Sequence, residues 1–176
     1  MLRLFKGGLM KIYIDFDGVI LDTDKLVDIE YSKTDGINRS DFVKNCDWNI
    51  LVHNSDIINN SLSNLKKTKC DVNILSKISS LNEGIAKVKY LRENGILANI
   101  HLVPTKISKS DMVSAKGNIL IDDKVYNLEE WESNGGISIF FNKDNLDYDV
   151  RGNRNIKYKK INDLSLLLDD IDKYIK

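Results

Sequence analysis

Lys11-Ile12-Tyr13-Ile14-Asp15-Phe16-Asp17-Gly18-Val19-Ile20 is an apolar run that ends on two carboxylates separated by one residue. A run that is continuous rather than alternating suits a strand buried on both faces of a parallel sheet. Two acids at the end of such a strand are costly to hold together unless a cation or hydrogen bonds compensate. Gly18 lets the chain turn away sharply or a ligand approach closely.

Four more apolar runs follow, at Asp71–Leu75, Ala98–Val103, Asn118–Ile121 and Ile137–Phe141. Ser80-Leu81-Asn82-Glu83 reads as a capping box that opens a helix. Leu81, Ile85, Val88 and Leu91 then recur at helical spacing, and Gly95 is placed to end the helix. A second helix is expected from an Asn127 cap through Trp131 to Gly135-Gly136. A third, carrying Leu164, Leu167, Leu168, Ile171 and Ile175 on one stripe, is expected over 162–176. Alternation of strands and helices predicts an α/β fold, a Rossmann-like, mostly parallel sheet flanked by helices.

Residues 19–69 break that rhythm. They are rich in Asp, Asn and Ser with scattered apolar positions, and read as a small helical insertion after the first strand. Residues 10–18 and 70–176 then form the α/β core. Residues 1–9 precede a second candidate start at Met10 and read as a leader or an expression remnant.

The chain has 176 residues, with 26 Lys plus Arg against 26 Asp plus Glu. Zero formal net charge argues against coating a polyanion, so no stable nucleic-acid partner is expected. The clusters Lys66-Lys67-Thr68-Lys69 and Lys157-Tyr158-Lys159-Lys160 read as solvated surface. No apolar run reaches the roughly 20 residues of a membrane span, so no membrane partner is expected. Two cysteines, Cys46 and Cys70, make no disulfide framework or zinc motif, and point to a reduced, cytoplasmic setting.

Ligands of open parallel sheets bind beyond the carboxyl ends of the strands. Polar residues fall at four such ends: Asp15 with Asp17; Ser76; a segment bearing Lys106 and Lys109; and Asp122-Asp123. Carboxylates, a hydroxyl and an ammonium together suit a hard divalent cation holding a phosphate. Taken singly, each has a plain alternative: a turn, a strand-ending serine, a solvated lysine, a helix cap. The early glycine and the missing closing glutamate exclude an EF-hand loop.

In this order the residues resemble the haloacid-dehalogenase-like (HAD) superfamily of phosphotransferases. Lys116 to Asp123, with Asn127, Trp131 and Gly135-Gly136, is similar to the fourth-motif region of its 5'(3')-deoxyribonucleotidase-like branch. The resemblance covers Met10 to about Asn142 and makes the insertion a cap by position. It implies a phosphatase rather than a dehalogenase, because Asp17 is acidic. Asp15 would be the nucleophile forming an aspartyl-phosphate. Asp17 would be the general acid and base. Ser76 and the amide of Lys77 would hold phosphate oxygens, with Lys109 balancing the charge. The spacing favours Lys109 but leaves Lys106 and Lys116 open. Mg²⁺ would be held by Asp15, the Asp17 carbonyl and the Asp122-Asp123 pair, Asp123 being favoured within it.

The expected substrate is a small nucleotide, making the protein a 5'-nucleotidase, with Phe42 and Trp48 available to stack on a base. A phosphatase for a sugar phosphate or a nucleic-acid 3'-phosphate is the alternative, as is a non-catalytic HAD-like binding module. A signalling receiver domain, which uses similar groups, carries them in a different strand order.

Overall fold

The computed structural model describes residues 4–5, 8–145, 148–149, 154–155, 157–169 and 171. Strands β1 (Leu4–Phe5) and β2 (Gly8–Leu9) pair antiparallel at the start. The central sheet uses β3 (Ile12–Ile14), β4 (Val72–Ile78), β5 (Asn99–Pro104), β6 (Ile119–Asp122) and β7 (Ile137–Phe141). Past a small antiparallel pair, β8 (Tyr148–Asp149) and β9 (Arg154–Asn155), strand β10 (Lys159–Ile161) completes it. The six strands run parallel in the order β10-β7-β6-β3-β4-β5.

Strand β3 lies between β4 and β6, with Ile14 opposite Ile74 on one side and Ile121 on the other. That register brings the carboxyl ends of β3 and β6 level, and Asp15 N–H donates to the Ile121 carbonyl at 3.0 Å. The continuous apolar runs follow from period-two geometry. Ile12, Ile14, Ile74, Ile119, Ile121, Ile139 and Phe141 feed one face. Tyr13, Leu75, Leu120 and Phe140 feed the other, with Leu128 and Trp131.

Between β3 and β4 stand α1 (Thr23–Tyr31), α2 (Arg39–Asn45), α3 (Trp48–Asn54) and α4 (Ser61–Lys67). Asn38 and Asp47 cap α2 and α3 by accepting from Asp41 N–H and Ile50 N–H. Val27, Trp48, Leu51, Val52, Ile58, Leu62 and Leu65 join the apolar cluster of the first sheet face. The helical insertion therefore packs continuously onto the sheet.

Helix α5 (Leu81–Glu93) starts as expected, with Ser80 Oγ accepting from Glu83 N–H at 3.2 Å. Its buried face differs from the expected stripe. Leu81 is 79% and Ile85 67% exposed, while Glu83, Gly84, Ala86, Lys87, Tyr90 and Leu91 are buried. After α6 (Lys109–Met112), helix α7 (Val125–Ser133) starts from Lys124 rather than from Asn127, whose side chain has another use. Over 162–169 the chain makes a single 3₁₀ turn, Ser165–Leu167, where a longer helix was expected. Leu164, Leu166, Leu167 and Ile171 nonetheless dock on the core. Ile175 lies outside the described residues.

The second basic cluster also contributes β10, with Lys159 and Lys160 in its ladder. Short, charge-rich edge strands carry too little apolar periodicity to be read from sequence. Among the described residues, no helix is long and apolar enough to cross a membrane.

Candidate active site

Past β3 the chain folds back tightly, with Ile20 N–H donating to the Phe16 carbonyl at 2.9 Å and Gly18 N–H to Leu21 at 2.8 Å. Gly18 has φ +74°, a left-handed conformation that suits glycine. A Cβ there would meet Asp123 Oδ2 at 2.3 Å, so the missing side chain is the space the Asp123 carboxylate occupies. This turn is the device that brings β3 and β6 acids together.

Lys109, at the start of α6, is fully buried. Its ammonium lies 3.0 Å from Asp15 Oδ1 and 2.6 Å from Asp122 Oδ2. Asp122 is further held by Lys124 N–H at 2.8 Å and by the Asn127 amide, at 3.1 and 2.9 Å to its two oxygens. Burial opposes charge on Lys109, but Asp122 and Asp15 outweigh it and raise its pKa. Burial pushes the Asp15 carboxyl up to about 6, with Lys109 opposing and Asp122 and Asp17 reinforcing the rise.

Asp17 sits between two donors: Thr23 Oγ1 donates to Oδ1 at 2.6 Å, and Lys87 Nζ to Oδ2 at 2.5 Å. Burial disfavours its charge, yet Lys87 and Lys124 outweigh this and hold its carboxyl below the ordinary carboxylate range. Lys124, near Asp123, Asp24, Asp15 and Asp17, is held protonated despite its own burial.

Asp15, Asp122 and Asp123 each place one carboxylate oxygen within 4.8 Å of the others. Lys109 reaches this cage directly, and Lys124 lies close to Asp15 and Asp123. The all-oxygen donor set of the cage fits a hard divalent cation such as Mg²⁺. A cavity of about 230 Å³ opens beside the cage, with Asp15, Asp17, Lys77, Lys124 and Tyr126 in its lining and Arg39, Val43 and Trp48 contributed by the insertion.

The parallel sheet flanked by helices recurs in solved structures. YfnB of Bacillus subtilis, assigned as a HAD hydrolase and solved bound to magnesium, matches with a TM-score of 0.59 and 12% identity over 90% of this chain and 96% of its own. The fold is the HAD-like one. The D,D-heptose 1,7-bisphosphate phosphatase of Burkholderia thailandensis matches at 0.53, with 12% identity over 92% of this chain and 98% of its own. An L-2-haloacid dehalogenase matches at 0.55 with the same identity and coverage. No family model matches the chain, and no curated protein is similar enough in sequence to match. A HAD-like fold shared by a phosphatase and a dehalogenase leaves the chemistry to the site itself.

Within the site, Asp15, Asp17, Lys109, Asp122 and Asp123 come together from three separate stretches of chain. Lys106 and Lys116 are exposed, and Lys109 is the lysine in contact with the acids. Ser76 is buried behind Asp17 and accepts from Lys87 Nζ at 3.1 Å, while Lys77 and Ser79 reach the cavity wall. Trp48 is buried and donates its N–H to the Val43 carbonyl at 2.7 Å, with part of the ring on the same wall. Phe42 lies elsewhere: it packs against Tyr31 and lines a separate cavity of about 350 Å³ inside the insertion.

Five site residues were not singled out for the site by the sequence: Thr23, Glu83 (read only as part of a capping box), Lys87, Lys124 and Tyr126. Glu83 and Lys87 are spaced i, i+4, a pattern ordinarily found on a solvated helix face. Lys124 follows the acidic pair directly, and its amide and ammonium both serve the site.

Proposed function

We propose that the protein is a magnesium-dependent phosphomonoester hydrolase of the HAD superfamily, working through an aspartyl-phosphate on Asp15. The supporting observation is the juxtaposition of Asp15, bridged by Lys109 to Asp122, with Asp17 on the wall of one cavity. Dehalogenation calls for no proton donor beside the nucleophile, whereas expulsion of an alkoxide from phosphate does.

In the first half-reaction an Asp15 oxygen attacks phosphorus, the bond from phosphorus to the ester oxygen breaks, and Asp17, which the neighbouring phosphate anion helps to protonate against the pull of Lys87 and Lys124, gives that oxygen its proton. In the second, Asp17 takes a proton from water as the water oxygen attacks phosphorus and the bond to Asp15 breaks. Lys109 offsets the charge on Asp15 throughout, and Lys77 and Lys124 face the incoming dianion. Asp15, the Asp17 carbonyl and Asp123 would hold the ion, because both Asp122 oxygens are already committed to Lys109, Lys124 N–H and Asn127. Bound there, Mg²⁺ screens the repulsion between carboxylates and phosphate.

A cavity of about 230 Å³ is smaller than the usual range for drug-sized ligands and suits a compact phosphomonoester. Trp48 and the half-exposed Tyr126 give it aromatic walls, and these favour a nucleoside monophosphate over a sugar phosphate. Phosphate release from a panel of both classes tests each level separately. Magnesium-dependent turnover that disappears in Asp15→Asn is expected, with deoxynucleoside monophosphates turned over faster. Equal rates on both classes remove the nucleotide preference; wild-type turnover by Asp15→Asn removes the phosphatase.

A further inference from the structure

Helices α1, α2 and α3 border the second cavity, of about 350 Å³, and it shares no lining residue with the active-site cavity. Its walls are mostly apolar: Leu26 from α1, Phe42 and Cys46 at α2, and Ile50 and Leu51 from α3. Ile50 is 57% exposed, so the space opens to solvent. None of the seven residues of α2 is buried, although a helix so short depends on packing for its stability. Apolar atoms lining such a space stay against water until an apolar ligand displaces it. Ligand sites are of this kind: concave, mostly apolar, about 300 Å³ or larger, with a few polar groups that fix orientation.

Charge at this cavity is one-sided. Glu30 and Lys33, both in its lining, pair at 2.7 Å and cancel. Asp47 remains: one of its oxygens accepts from Ile50 N–H at 3.1 Å, and among the described residues it has no ion-pair partner. The Phe42 ring acts in the same sense, because an aromatic face attracts cations and repels anions. We propose that this cavity is a binding site for a small apolar amine, its hydrocarbon body seated on Leu26, Phe42 and Leu51 and its ammonium directed to Asp47. A carboxylate on the same body would meet Asp47 as a like charge, and an uncharged body would leave Asp47 unused. The site stands apart from the acids at the strand ends and requires nothing of the reaction proposed there.

Calorimetric titration of the whole chain with 4-phenylbutylamine and with 4-phenylbutyrate, near neutral pH, compares opposite charges on one apolar body. The amine should bind saturably and roughly tenfold or more tighter than the acid. In Asp47→Asn that ratio should fall to within about threefold, because Asn keeps the α3 cap and loses the charge. Alkylation by iodoacetamide, followed by peptide mass spectrometry, places the ligand. At about ten times its Kd the amine should slow alkylation of Cys46 roughly tenfold, while Cys70, outside the cavity, reacts as before. These wild-type measurements decide the matter if Asp47→Asn does not fold. An amine that binds without protecting Cys46 sits elsewhere, as among the active-site acids, and would overturn the assignment. Equal affinity for amine and acid, or no saturable binding of the amine, would overturn it as well.

Discussion

A Cβ on Gly18 would lie 2.3 Å from Asp123 Oδ2, so an absent side chain in the β3 turn sets the position of an acid at the end of β6. Gly18→Ala therefore carries two penalties. The φ of +74° costs a residue with a Cβ about 1–2 kcal/mol, and the Asp123 carboxylate must swing away. The expected outcome is a modest drop in thermal stability without magnesium, and a larger loss of the stabilisation that added magnesium gives. Equal magnesium-induced shifts in melting temperature for wild type and variant would show that Asp123 is not a ligand.

Lys109→Met leaves the buried Asp15 and Asp122 carboxylates facing each other without their shared cation. Breaking a buried pair from one side costs about 3–5 kcal/mol, far more than the pair itself contributes. Urea titration should show that loss, together with abolished phosphate release. Lys106→Met and Lys116→Met, at exposed positions, should change the unfolding midpoint by no more than about 0.5 kcal/mol equivalent.

His53 on α3 faces two acceptors, the Asn49 carbonyl at 2.7 Å from Nδ1 and Glu93 Oε2 on α5 at 2.9 Å from Nε2. Both ring nitrogens can donate only when the imidazole is protonated, and the Asn49 and Glu93 hydrogen bonds raise its pKa. Lys89, paired with Glu93 at 3.8 Å, opposes the rise, and Tyr90 packs edge-on against the ring. Because the folded pKa exceeds the unfolded value, this contribution is complete below about pH 6.5 and is lost as pH climbs through the folded pKa. The melting difference between wild type and His53→Gln should be larger near pH 5.5 than near pH 8.5, and worth less than about 1 kcal/mol for so exposed a pair. A pH-independent difference would mean that the contact between the insertion and α5 does not depend on the charge.

Several of the core strands were legible because they feed both sheet faces and so read as continuous apolar sequence, although Asn99 and His101 interrupt β5 and Ser138 interrupts β7. The strand-end acids were legible because they interrupt those runs. The face of α5 was not: Leu81 and Ile85 mimic a core stripe, and only the three-dimensional partner of Lys87 explains why charge is buried instead. The position of Asn127 was seen but its use was not, since an amide bridging both oxygens of Asp122 looks, in one dimension, like any helix cap. Gly135-Gly136 stopped α7 as expected. Gly136 has a second task invisible to spacing rules, because a Cβ there would sit 2.2 Å from the Trp131 ring. Residues of the insertion carried too little periodicity to place Trp48 against Lys87 and Phe42 away from the acids.

The most direct measurement is acid-quench mass spectrometry of the protein during turnover of 4-nitrophenyl phosphate with magnesium. A phosphoryl group on the peptide carrying Asp15, formed within the first turnover and absent in Asp15→Asn, is the expected result. Sustained turnover with Asp15 never phosphorylated, or a phosphoryl group lodged on another residue, would contradict it.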